Sequence, residues 1–70
     1  MDLRIKDMRE DSDLTQKQIS EILLCDQSLY SKYERKEREI PLGLIIKLAD
    51  YYNVSVDYLV GRTNNPEVNI

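Results

Sequence analysis

The sequence has no histidine and a single cysteine, Cys25. Without histidine the commonest general base and metal ligand is missing, and one thiol closes no internal disulfide. Zinc centres and nucleophile–base pairs therefore have almost nothing to be built from. No constellation of acid, base and nucleophile is visible. The expectation is a protein that is not an enzyme and uses no cofactor, metal or small-molecule ligand. Also missing is any apolar run near the ~20 residues that cross a bilayer. The opening MDLRIKDMRE is too charged for a secretory signal. With the lone cysteine, these features predict a cytoplasmic protein. A basic excess is lacking too: the formal net charge is −3, whereas most nucleic-acid binders are basic.

What is present is 41% hydrophobic and 33% charged, a globular rather than a disordered composition. Seventy residues make one domain at most. A chain this short buries only about 60% of its unfolded surface, so its stability margin is thin and dimerisation helps. The charge is unevenly spread. Lys32, Arg35, Lys36 and Arg38 lie close together, with Glu34 and Glu37 the only acidic residues between them. The acidic surplus falls elsewhere, in Asp2, Asp7, Glu10, Asp11 and Asp13 and in Asp50, Asp57 and Glu67. A modest basic face on an acidic body predicts weak nonspecific binding to nucleic acid and strong salt sensitivity.

Thr15–Arg35 reads as two short helices joined by a tight turn. Ile19, Ile22 and Leu23 are spaced as one face of a helix over about Gln16–Leu23. Thr15 and Gln18 form a capping box, and Leu14 stands at the hydrophobic-staple position. The pattern breaks at Leu24-Cys25-Asp26. Asp26 can cap a second helix, about Gln27–Arg35, with Leu29, Tyr30 and Tyr33 as its apolar face. Two helices this short must lean on others, which leaves Gln27, Ser28, Ser31, Lys32 and Arg35 projecting outward.

Residues 2–11 predict a first helix with Leu3, Ile5 and Met8 inward. Pro41 suits the first position of a fourth helix running to about Tyr52, with Leu44, Ile45, Leu48, Ala49 and Tyr52 facing the core. Asn53 suits the left-handed position that ends a helix. Ser55 caps a fifth helix, Val56–Val60, which stops at Gly61. Arg62–Ile70 reads as a tail. Cys25 is expected as a small core residue rather than a redox switch.

Leu14-Thr15-Gln16, Ser31-Lys32-Tyr33-Glu34-Arg35, Lys47-Leu48-Ala49 and Asn53–Leu59 follow one another in a specific order and spacing. Together they resemble the Cro/repressor-type (xenobiotic response element) helix-turn-helix family of phage repressors and small bacterial regulators, over about Leu3 to Arg62. The resemblance implies an all-α, compact five-helix, lambda-repressor-like DNA-binding domain over residues 1–62, with the motif at helices 2 and 3 and a tail at 63–70. It implies an ion pair between Arg9 and Glu34. It also implies a bacterial or phage-encoded transcriptional regulator at the nucleoid, a repressor that binds a palindromic operator as a homodimer.

Helix position and family match together nominate Gln27, Ser28 and Lys32 for base contacts in the major groove. Thr15 and Gln16, at a helix N-terminus, suit phosphate, and Lys17, Ser31, Arg35, Lys36 and Arg38 are further phosphate candidates. Val56, Tyr58 and Val60 are the candidate dimer surface, although core packing is the alternative role for that last helix. Seventy residues leave no room for an effector domain, so regulation is expected from concentration, a protein partner or competition for the operator. The rival reading is a protein-interaction module, such as an antitoxin or antirepressor, that has kept the fold. Against the family pattern, Ser20 replaces alanine, while Leu24 and Lys36 stand where glycine is common. A leucine at positive φ would be strained.

Overall fold

The Thr15 capping box forms as the sequence predicts. The Thr15 hydroxyl oxygen accepts from the Gln18 amide at 3.1 Å, and the Thr15 amide donates to Gln18 Oε1 at 2.8 Å. The structure, a computed structural model, describes residues 3–67. Five helices follow in chain order: α1 Ile5–Asp11, α2 Gln16–Leu23, α3 Gln27–Glu34, α4 Leu42–Tyr52 and α5 Val56–Leu59. There is no strand among the described residues. This is an all-helical, lambda-repressor-like arrangement in which α2 packs on α3, α4 on α5 and α2 on α4.

The core is drawn from every helix. Ile5, Ile19, Leu23, Tyr30, Tyr33, Ile45, Leu48, Ala49, Leu59 and Val60 are buried together, and Leu3, Met8, Leu14, Leu29, Leu44, Tyr52 and Val56 pack around them. Ile19 is fully buried and Leu14 lies over the same cluster, consistent with the staple. Ser20 is 3% exposed, and its hydroxyl donates back to the Lys17 carbonyl at 2.8 Å. A small side chain there lets α2 sit close to its neighbours without an unpaired hydroxyl.

The helices end in one repeated way. After α1, α2, α3 and α4 the chain turns through left-handed residues Asp13, Leu24, Lys36 and Asn53, with φ of 57°, 56°, 62° and 56°. Each turn carries the paired bonds of a Schellman motif. For α2 these run from Leu24 N to Glu21 O and from Cys25 N to Ser20 O; for α3, from Lys36 N to Tyr33 O and from Glu37 N to Lys32 O. Only α5 ends on glycine, at Gly61. Leu24 thus takes the left-handed conformation, and it is also 85% exposed. A non-glycine residue held this way costs roughly 1–2 kcal/mol. Leu24→Gly removes little buried surface and is expected to raise stability by about 1 kcal/mol, or 4–8 °C in thermal midpoint. An unchanged or lowered midpoint would show that Leu24 is not strained.

Several expectations need correcting. Ile22 is 38% exposed, because Ile19 and Leu23 already fill the inward line of α2 and Ile22 falls on its flank. Helix α1 begins at Ile5, and its predicted first residue, Asp2, lies outside the described residues. Leu3 and Arg4 do not join the helix, since the Arg4 amide donates to the Leu59 carbonyl at 2.8 Å and ties the chain start to α5. Pro41 precedes α4 as its cap residue, Arg35 closes α3 and Val60 closes α5.

The tail is anchored as far as it is described. Arg4 donates to the Thr63 carbonyl at 3.0 Å and to Asn64 Oδ1 at 2.7 Å, and the Ser55 amide donates to the Pro66 carbonyl at 3.0 Å. Residues 68–70 lie outside the described residues.

Candidate nucleic-acid interface

Glu34, the last residue of α3, joins three helices through its carboxylate. Arg9 Nε donates to Oε2 at 2.7 Å and Arg9 Nη2 to Oε1 at 3.1 Å, a two-pronged pair between α1 and α3. Gln16 Nε2, at the start of α2, donates to Oε1 at 3.0 Å. A further Arg9 nitrogen donates to the Leu14 carbonyl at 2.9 Å, which fixes the loop entering α2. The Glu34 side chain is 3% exposed and that of Arg9 13%. The ion pair is therefore a buried clamp that sets the angle of α3 against α1 and α2.

Burial alone would raise the Glu34 carboxyl. The hydrogen bonds and charge of Arg9, with the Gln16 amide, outweigh it and hold the group below its usual value of 4.5. A carboxyl depressed by folding binds fewer protons native than unfolded. Its contribution is complete above 4.5 and is lost as pH falls through the lower folded value. The gap in thermal midpoint between the wild type and Glu34→Gln should therefore narrow below pH 4.5. A gap independent of pH would contradict the clamp. Burial also pushes up both neighbouring phenols, Tyr30 beyond the usual range and Tyr52 to about 12. Their hydroxyls are buried and make no well-formed hydrogen bond among the described residues.

On the outer side of this clamp lies an open polar depression of about 490 Å³, lined by Gln16, Asp26, Gln27, Ser28, Ser31, Lys32 and Arg35. It brings together all three base-contact candidates and three of the phosphate candidates, Gln16, Ser31 and Arg35. Gln27, Ser28 and Lys32 are exposed, and Ser31 is half-buried. Thr15 and Lys17 are exposed beside it but do not line it. Lys36 and Arg38 line a different hollow, of about 430 Å³, with apolar Leu3, Tyr33, Ile40 and Leu42.

Arg35 pairs with Glu37 at 2.6 Å, but both side chains are more than half exposed. Such a pair is weakly held and yields readily to a competing anion. Asp26 occupies the cap position of α3 but its side chain caps nothing. Its carboxylate accepts the Ser28 hydroxyl instead. This short-range competition is invisible in residue spacing. The half-buried Cys25 thiol is pushed up by burial and by Asp26, which suits packing rather than redox chemistry.

The candidate dimer residues are placed differently from one another. Val60 is 6% exposed and belongs to the core, because α5 is a single turn that spends Val60 and Leu59 inward. Val56 is half-buried against the core, and Tyr58 is half-buried with the Arg4 guanidinium 4.2 Å above its ring. The largest exposed apolar side chains are elsewhere: Leu24, Leu42, Tyr51, Ile46 and Ile22.

The sequence pattern of a helix-turn-helix family matches residues 5–59, from the start of α1 to the end of α5. The chain belongs to this helix-turn-helix family, of the Cro/C1 type. Among curated proteins, it is 36% identical over 64 residues to the "Uncharacterized HTH-type transcriptional regulator YobD" of Bacillus subtilis (strain 168), an alignment covering 91% of this chain and 57% of that protein. It is 39% identical over 59 residues to the "HTH-type transcriptional regulator ImmR" of the same organism, covering 84% of this chain and 46% of that protein. The helix-turn-helix chain thus spans about half the length of these relatives. No solved structure matches it significantly. No helix among the described residues is long and apolar enough to cross a membrane.

Proposed function

We propose that this helix-turn-helix protein is a sequence-specific DNA-binding transcriptional regulator, a repressor that binds a palindromic operator as a homodimer. The observation that carries the reading is the polar depression on α3, backed by the Arg9–Glu34–Gln16 clamp. A helix of this size fits the major groove, which is about 12 Å wide. Gln27 suits adenine, Lys32 suits guanine, and Ser28 is a less selective partner. Gln16 gives one amide hydrogen to Glu34 and keeps the other, with the free N–H groups at the α2 start, for phosphate. Thr15, Lys17, Ser31, Arg35, Lys36 and Arg38 complete the proposed phosphate set. Both relatives are named as transcriptional regulators, which supports the regulatory role. The nucleoid is its proposed place of work.

In the homodimer two copies of α3 enter successive major grooves roughly 34 Å apart. Val56 and Tyr58 remain the proposed contact residues, without Val60. The exposed Leu42, Ile46 and Tyr51, with the acidic net charge, favour as a second reading a module that docks to another protein. A nuclear magnetic resonance titration with a random-sequence duplex at low salt separates the two. Amide shifts centred on Gln27, Ser28, Ser31 and Lys32 are expected. Absence of shifts there would overturn DNA binding through α3.

A further inference from the structure

We infer that Asp26 is a specificity-determining residue that accepts a hydrogen bond from the exocyclic amino group of a cytosine, an assignment that rests on the operator-binding reading above. A residue at a helix cap in extended conformation normally turns its side-chain oxygen back to an amide of the first turn. Asp26 has that conformation, with φ −71° and ψ 138°, yet makes no such bond. Its carboxylate is held by the Ser28 hydroxyl, and both residues line the depression with Gln27 and Lys32. The bond to Ser28 therefore keeps the carboxylate on the face offered to DNA.

A carboxylate presents acceptors only. At the major-groove edge guanine shows two acceptors, thymine an acceptor and a methyl, and adenine an acceptor beside its amino group; cytosine shows its amino donor alone. A carboxylate at this place selects cytosine and disfavours the other three bases. It also repels phosphate, so it weakens binding wherever no cytosine meets it. Ser28 follows from the same geometry. Its proton is committed to Asp26, so it positions the carboxylate and can only accept from a base.

The test is selection from a randomised duplex pool with the full chain, comparing the wild type with Asp26→Asn. The substitution keeps the shape and the cap preference and removes the charge. The wild type should enrich cytosine at one column of each half-site, about fivefold or more over other bases. In Asp26→Asn that preference should fall within about twofold or pass to adenine, which asparagine pairs well, with the other columns retained. Binding to a shuffled duplex should tighten. Ser28→Ala, which frees the carboxylate to turn back and cap α3, should weaken the same column without tightening shuffled binding, and it carries the test if Asp26→Asn does not fold. A wild-type motif that both variants reproduce unchanged overturns the assignment of Asp26 alone. A wild-type chain that enriches no motif overturns the operator reading on which the assignment rests.

Discussion

Arg9→Ala should unfold most of this protein's stability margin. The substitution leaves the Glu34 carboxylate, 3% exposed, with Gln16 as its remaining partner. Breaking a buried pair by removing one member typically costs about 3–5 kcal/mol. A chain of this length has roughly 4–10 kcal/mol to lose. The thermal midpoint, followed by circular dichroism, should fall by more than about 12 °C. Pairing Arg9→Met with Glu34→Gln should recover much of the loss, since a neutral pair leaves no stranded charge. A fall of only a few degrees in Arg9→Ala would place the pair in solvent. The Arg9 bond to the Leu14 carbonyl adds to the effect, because it holds the loop that sets up the Thr15 cap.

The second large effect concerns DNA. Lys32 is exposed in the depression, one turn into α3, the place proposed above for a guanine contact. Lys32→Ala should weaken operator binding by about 1–3 kcal/mol, five- to more than a hundredfold, and relax preference at one base pair. Arg35→Ala should weaken binding evenly across sequences and lower the salt slope by about one unit. Fluorescence anisotropy against operator and shuffled duplexes over a range of salt reads both. Equal losses on the two duplexes for Lys32→Ala would make it a phosphate contact and remove it from base readout.

Much of this architecture is legible in the residues because it is local. The bounds of α2, the Thr15–Gln18 box, the turns at Asn53 and Gly61 and the Ser55 cap each depend on a few neighbouring residues. The pairing of Arg9 with Glu34 spans 25 positions and was reachable only through family resemblance. What could not be read is the competition among long-range partners. Arg4 looks like one more basic residue on α1, yet it covers Tyr58 and holds Thr63 and Asn64. Val60 and Ile22 are both plausible apolar face residues, and only the packing of α5 and α2 decides that one is buried and the other is not. Asp26 reads as a cap, and Ser28 takes its carboxylate away.

Leu24 departs furthest from the expected motif, and the structure accommodates it without altering the turn. The backbone takes the glycine-like conformation and the side chain goes to solvent. The face of α3 proposed to dock on DNA is backed by the Glu34 clamp and not by the turn residue, so the strain at Leu24 bears on stability.

If α3 reads a sequence as part of a two-fold assembly, the operator must carry two inverted half-sites. Selection of bound duplexes from a randomised pool by the unmodified chain reads this out. An enriched motif with inverted half-sites about 10 base pairs apart, centre to centre, is expected. Recovery of unenriched sequence at low salt, with no repeated half-site, would contradict it.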